Sequence, residues 1–320
     1  MGTGIQIRDV QPEDYPAVAD VIRAAEPPDS HNLDADAIAR MDHVLAGRSR
    51  AQRRVAEIDN QIVGTCRYLI PPHMYHPQKY QFYISVLPET QRQGIGTALY
   101  DDTLARLQSE NPISLRSFYR EDMANSRDFL ATRGFTEEFR LWESWLDLTR
   151  FDPAPFAAAT HRMRESGIRI RTLADVRNDP GWERRLHALI IHIQGDMPQP
   201  EPYVPWPFDE WLKVELNRPT MIPESYFIAV DGDEYIGVNI LFRQPGNPKR
   251  LNTDDTGVLR TYRRRGLATA LKVHGLEYAK AHGVERVYTA NASTNQPMLA
   301  LNTKLGFQRN PAHVGVIRHM

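Results

Sequence analysis

Two stretches of this 320-residue chain repeat one another: TQRQGIGTALYD at 90–101 and TYRRRGLATALK at 261–272. In each, polar residues run into a glycine that opens an amphipathic segment. Gly94 and Gly266 stand 172 residues apart, as do Gly134-Phe135 and Gly306-Phe307, and Asp59 and Asp231. A constant offset across three landmarks means one supersecondary plan used twice. Only the first strands break it: IQIRDV starts at residue 5 and IRIRTL at residue 168, so the second copy carries about nine extra residues early on. Each copy reads as an alternating strand, helical material, a hairpin, another strand, the glycine-led helix, a further strand, a short helix ending in Gly-Phe, and terminal strand material. That order specifies a mixed α/β fold, in two domains of mostly antiparallel sheet flanked by helices. The predicted divisions are 1–148 and 166–320, with the proline-bearing TRFDPAPFAAATHRMRESG between them read as a linker over 149–165.

Composition excludes several classes. Lys+Arg 39 against Asp+Glu 40 leaves a formal charge of -1, which gives no general attraction to nucleic acid or to an anionic membrane. One cysteine, Cys66, permits no intrachain disulfide and suits a reducing compartment; its apolar surroundings predict simple packing. No apolar run is long enough to cross a bilayer, and MGTGIQIRDV lacks the pattern of a secretory signal, so a cytoplasmic protein is expected. His73 with His76, and His187 with His192, are too sparse for a metal site, and none is assigned.

The glycine-led helices carry the chemistry. A helix start presents unpaired N–H groups and the positive end of the helix dipole, and glycine lets an anion approach the backbone. The second copy, Arg263-Arg264-Arg265-Gly266-Leu267-Ala268-Thr269, adds charge; the first, Gln91-Arg92-Gln93-Gly94-Ile95-Gly96-Thr97, offers the same geometry with less of it. Neither is a P-loop, and G-x-G-x-x-G is absent. With the doubled Q/R-x-x-G-x-G/A pattern and the ending TANASTNQPMLALNTKLGF, the chain resembles a tandem member of the GNAT acetyltransferase superfamily over both halves.

That resemblance implies acetyl-CoA as donor, its pyrophosphate on the two glycine loops. It places the pantetheine arm along the preceding strands, at Val86 in the first copy and at Val258 and Leu259 in the second. It also implies a strand carboxylate as base and, four residues before the glycine of Gly-Phe, a tyrosine as acid. Here those positions hold Leu130 and Asn302. Asparagine still donates a hydrogen bond and leucine does not, so the second copy is expected to be the catalytic one. Asp255 or its neighbour Asp254 is the expected base, the alternative being a solvated turn. Asn291 and Asn295 are expected beside the cleft, the alternative being capping. The first copy offers Asn125 and no obvious acid.

The acceptor is expected at GDMPQPEPYVPWPFDEW (195–211), where Tyr203, Trp206, Phe208 and Trp211 would wall a pocket and Asp196, Glu201, Asp209 and Glu210 would attract a cation. The leading expectation is acetyl transfer from acetyl-CoA to a small amine. The competing one is an acyl-CoA-binding regulator without activity, favoured by the missing tyrosine. Acceptor identity and oligomeric state, monomer or homodimer, are left open by the sequence.

Overall fold

The computed structural model describes residues 4–27 and 34–320. In chain order the elements are β1 (Gln6–Asp9), α1 (Tyr15–Ala25), α2 (Ala35–Leu45), β2 (Gln52–Ile58), β3 (Gln61–Leu69), β4 (Lys79–Val86), α3 (Ile95–Leu107), β5 (Ser114–Arg120) and α4 (Ala124–Ala131). There follow β6 (Thr136–Asp147), α5 (Ala157–Glu165), β7 (Arg169–Thr172), α6 (Leu173–Val176), α7 (Trp182–Gly195) and α8 (Phe208–Trp211), the last running into a π-helical turn at Leu212–Leu216. The chain closes with β8 (Met221–Asp231), β9 (Glu234–Gln244), β10 (Asn247–Val258), α9 (Leu267–Ala281), β11 (Arg286–Ala292), α10 (Gln296–Leu305), β12 (Gln308–Arg309) and β13 (His313–His319).

Two compact units result, and their boundaries differ from the expected 1–148 and 166–320. One comprises the chain up to Glu138 together with Val314–Met320; the other is Phe139–His313. The last strand of each copy therefore completes the sheet of the other unit: β13 lies beside β5 in the order β1-β2-β3-β4-β5-β13, and β6 lies beside β11 in the order β6-β11-β10-β9-β8-β7. The expected linker is also a correction. Its residues 157–165 form α5, which seats Ala159 and Met163 in the second unit. A sequence repeat shows which strands exist, but strand exchange is a long-range choice that no local pattern records.

Both sheets are antiparallel except at one step. β4 pairs with β5 in parallel from Lys79↔Ser114 to Gln81↔Arg116, and β10 with β11 from Arg250↔Arg286 to Asn252↔Tyr288. Beyond those three pairs each couple diverges, and α3 and α9 follow the longer arm, as their apolar spacing predicts. In the first unit Leu99, Tyr100, Phe82 and Phe135 form the core together with Val314 and Val316 of β13. Cys66 is buried there, 3.2 Å from Thr103 Oγ1, and burial pushes its thiol up to about 12. In the second, α9 lays Leu267, Leu271 and Leu276 on β8–β10.

The exchange makes a prediction. Removing residues 314–320 deletes Val314 and Val316, worth about 1.5–3 kcal/mol each, from the core of the first unit. Hydrogen exchange is expected to show faster amides in β4 and β5 while β8–β10 keep their protection. Loss of protection in β8–β10 instead would contradict the assignment of β13.

Candidate active site

The two glycine loops superimpose in their details. Gln91 Nε2 donates to the Val86 carbonyl at 3.2 Å, and Arg263 Nε donates to the Val258 carbonyl at 3.1 Å. Arg92 and Arg264 both take φ 64, and Gly94 and Gly266 follow at φ 89 and 81. A left-handed arginine costs on the order of 1 kcal/mol, so its presence in both copies marks a loop shaped for something other than stability. Neither helix start has a side-chain cap. The N–H groups of Ile95, Gly96 and Thr97, and of Leu267, Ala268 and Thr269, lie at these uncapped starts.

Their surroundings differ. In the first copy Phe129 lies across the loop, 3.4 Å from where a Cβ on Gly96 would stand, and Arg133 covers that ring at 3.7 Å while donating to Thr97 Oγ1 at 2.8 Å. In the second a cavity of about 370 Å³ opens at Gly266 and Leu267, lined by Arg264, Arg265, Ser166 and Arg162. Arg162 Nη2 lies 3.7 Å from the place of a Cβ on Gly266. Three guanidiniums around a bare helix start fit a diphosphate. Arg162 comes from α5, the segment that the sequence suggested was a linker; its basic HRMRE run was the available signal.

Arg263 has a different task. It joins Arg260 in binding Asp196 at the end of α7, and these partners, Arg260 first, hold the Asp196 carboxyl below the usual carboxylate range. Asp196 is thus occupied by protein cations, which corrects its expected part in attracting a substrate.

On the β9 side, the register of β10 breaks between Thr253 and Thr256. Asp254 and Asp255 sit in this bulge. Arg218 Nη2 donates to Asp254 Oδ2 at 2.5 Å, and its Nη1 lies 3.6 Å from Glu215 Oε2. Asp255 is buried and accepts from Gln194 Nε2 at 2.8 Å; the Tyr203 hydroxyl donates to the other end of that amide at 2.6 Å. A water-sized cavity of about 10 Å³ touches Asp254, Asp255, Glu215, Arg218, Tyr226 and Trp211. Burial, then the charge of Asp254, pushes Glu215 up to about 7 against the pull of Arg218. The same two causes hold Asp255 well above its ordinary value.

Glu215, Arg218, Gln194 and Tyr226 were missed in the sequence. Glu215 and Arg218 stand three apart in WLKVELNR, an i,i+3 pair with no visible link to Asp255, because the contact spans a loop. The first copy has no counterpart: Tyr83 stands 172 residues before Asp255, β3 and β4 keep register from Gly64↔Val86 to Leu69↔Gln81, and Ser117 Oγ donates to the Phe82 carbonyl at 2.9 Å where β4 and β5 part.

The remaining expected residues divide. Trp211 lines the carboxylate cavity and Tyr203 reaches it through Gln194. Trp206 and Phe208 do not line it; with Trp211 they surround His187, whose Nε2 lies 3.2 Å from the Trp206 carbonyl and whose ring is 5.3 Å from Phe208 and 4.9 Å from Trp211. They anchor the segment rather than wall the cavity. Asn295 caps α10, accepting from the Met298 N–H at 3.4 Å, so its side chain serves the helix rather than the cofactor. Asn302 is 2% exposed and donates to Asn291 Oδ1 at 2.7 Å. Leu130, its counterpart, is core.

A model of the acetyltransferase (GNAT) domain matches residues 50–137, and one of the acetyltransferase (GNAT) family matches residues 191–307. The chain belongs to the GNAT superfamily of acetyltransferases and is a tandem member, with one copy in each half. It is an acyltransferase, and the reading as a regulator without activity finds no support.

Among curated relatives, a mycothiol acetyltransferase of Catenulispora acidiphila is 26% identical over 72% of this chain and 70% of its own, and one of Thermobifida fusca is 23% identical over 93% of each. A tandem GNAT protein from the clavulanic acid biosynthesis pathway shares the fold with a TM-score of 0.75 at 19% identity over 98% of both chains. A GCN5-related N-acetyltransferase from Sphaerobacter thermophilus does so at 0.73 and 20%, over 98% of this chain and 95% of that one. Among the described residues no helix is long and apolar enough to cross a membrane.

Glu215 gives a stability test. Its folded pKa of about 7 exceeds the ordinary 4.5, so the folded state binds the extra proton and stability falls as pH rises from 4.5 to 7. Glu215→Gln is expected to remove that fall, gaining at most about 3 kcal/mol over wild type at pH 8 and little at pH 4. Equal gains at both pH values in urea titrations would contradict the buried, proton-holding carboxyl.

Proposed function

We propose that the second unit transfers the acetyl group of acetyl-CoA to the amine of a small-molecule acceptor, while the first unit serves as scaffold. The observation that carries this is the bulge of β10: it sets Asp255 beside Glu215 only in the copy whose glycine loop opens onto a cavity. The relatives named mycothiol acetyltransferase support a small acceptor; identity of 26% or less carries the class and not the acceptor itself.

Acetyl-CoA, when bound, supplies the acyl group already activated as a thioester. Arg162, Arg264, Arg265 and the N–H groups of Leu267, Ala268 and Thr269 hold its diphosphate. The edge of β10 facing β11 has no ladder partner from Asp255 to Val258 and offers its amides to the pantetheine arm, with Leu259 at its end. Asp254 and the ionised form of Glu215 draw an ammonium toward the bulge, and Trp211 gives it an apolar wall. Glu215, releasing its proton near 7, takes one from the acceptor nitrogen, because a base works best with its pKa near the working pH. Asp255, held well above its ordinary pKa by burial and bonded to Gln194, which Tyr203 braces, orients the nitrogen. Asn302 and Asn291 stand where the resemblance puts the leaving thiol.

Thiol release from acetyl-CoA over a library of small amines tests the reading. The wild type is expected to gain kcat as pH rises toward about 7. Glu215→Gln should lose on the order of a hundredfold in kcat with the acetyl-CoA KM within about threefold. Arg162→Ala should show the opposite split, a KM raised about five- to tenfold at low salt and less at high salt. Tight coenzyme binding with no release over any amine would overturn the proposal.

A further inference from the structure

Helix α9 carries one ammonium into the interior of the second unit. Lys272 is 2% exposed, and among the described residues its Nζ has no hydrogen-bond partner. The nitrogen lies 5.3 Å from the centre of the Phe307 ring. Phe307 follows the end of α10, and its N–H donates to the Asn302 carbonyl at 3.0 Å. Asn302 holds a second unsatisfied atom: its Oδ1 has no partner among the described residues, while its amide nitrogen is bonded to Asn291 on β11. Buried polar atoms are almost always paired, so these two call for an explanation.

The fold itself does not demand them. At the place of Lys272 the first copy has Tyr100, whose hydroxyl accepts from Arg318 at 2.7 Å and whose ring packs on Phe82 and Phe135; at the place of Asn302 it has Leu130. Both unsatisfied atoms therefore occur only in the copy that carries Glu215 and Asp255. In chain order α9 follows β10 and α10 follows β11, the two strands whose pairing ends at Asn252 and Tyr288. The link to the coenzyme's sulfur is Asn302, which stands at the position where the resemblance puts the acid.

We propose that Lys272, assisted by Asn302, is the proton donor to the sulfur of the coenzyme in the second unit, filling the place of the tyrosine that both copies lack. The inference rests on the transfer reading above. The acceptor ammonium first releases one proton to solvent; as the neutral nitrogen then forms its bond to the acyl carbon and loses a second proton to Glu215, Lys272 Nζ gives a proton to the sulfur leaving that carbon. The neutral amine regains a proton from solvent when the products depart, and Glu215 loses its own in the same way, so charge and atoms balance. Burial alone pulls the Lys272 amine down to about 7, where it gives up a proton readily. The cations and His on the two helices face elsewhere: Lys304 lies over Phe156 at 5.9 Å and His274 against Phe227 at 4.8 Å.

The test uses the full chain with coenzyme A as probe. The thiol of the bound coenzyme is titrated by its ultraviolet thiolate absorbance in wild type, Lys272→Met and Lys272→Ala, with thermal melts confirming that each variant folds. An ammonium and a thiolate side by side each favour the other's charged form, so with the coenzyme bound the Lys272 amine should move up from about 7 while the wild-type thiol ionises about one pH unit or more below that of either variant. Methylamine added to Lys272→Ala should restore part of the shift.

In the transfer assay Lys272→Met should lose at least about tenfold in kcat, with the acetyl-CoA KM within about threefold, and lose the fall in kcat above pH 7. Identical thiol titrations in wild type and variants would overturn the inference, as would a variant with wild-type kcat and an intact alkaline limb. A shifted titration with no transfer by any variant would sustain Lys272 as the group facing the sulfur while the transfer reading failed. Transfer by wild type and by Lys272→Met alike would do the reverse.

Discussion

The break in register between Thr253 and Thr256 is the constraint on which the second unit depends. A bulge puts extra residues into one strand, turns side chains off the ladder and increases local twist. Here it places Asp254 toward Arg218 and buries Asp255 on Gln194, while the remainder of β10 diverges from β11 with one edge unpaired. The aromatic segment and the π-helical turn bring Glu215 and Trp211 onto the same spot. The first unit keeps β3 and β4 in register, and its cleft is crossed by Ser117 and Phe129.

The two units also treat buried charge differently. In the first, Arg53 meets Asp42 through two hydrogen bonds, Arg116 meets Glu138 through two, and Tyr100 is satisfied by Arg318. Such pairs offset their own desolvation and leave little to react. In the second, Glu215, Asp255 and Lys272 are displaced from their ordinary pKa values chiefly by burial, with Lys272 unpaired among the described residues. Displaced groups in a cleft are destabilising, and they are what acid–base chemistry at neutral pH requires.

The repeat, both glycine-led helices and the mixed α/β order were legible because they rest on local periodicity and on conformations that only a few residues accept; Gly94 and Gly266 do take positive φ. Asp255 was singled out with Asp254 as the expected base, the role that the proposal gives to Glu215. The exchange of β6 and β13 was not, since a strand that fits either sheet has the same alternation in both. Glu215 and Arg162 were hidden for a related reason: each acts on residues far along the chain. Asp196 and Asn295 were misjudged because a polar residue near a cleft spends its charge or hydrogen bonds on whatever neighbour folding supplies, here Arg260 with Arg263 and the start of α10.

The central claim is that chemistry resides in the second unit although both loops have the same backbone. It is tested most directly by placing one glutamate in each loop of the full chain, Gly94→Glu and Gly266→Glu, and measuring acetyl transfer after confirming that both proteins melt cooperatively. The added carboxylate repels a diphosphate and fills the space in front of the helix start. Gly266→Glu is expected to abolish turnover, and Gly94→Glu to leave kcat close to wild type. An inactive Gly94→Glu beside a fully active Gly266→Glu would place the active site in the first unit and contradict the account.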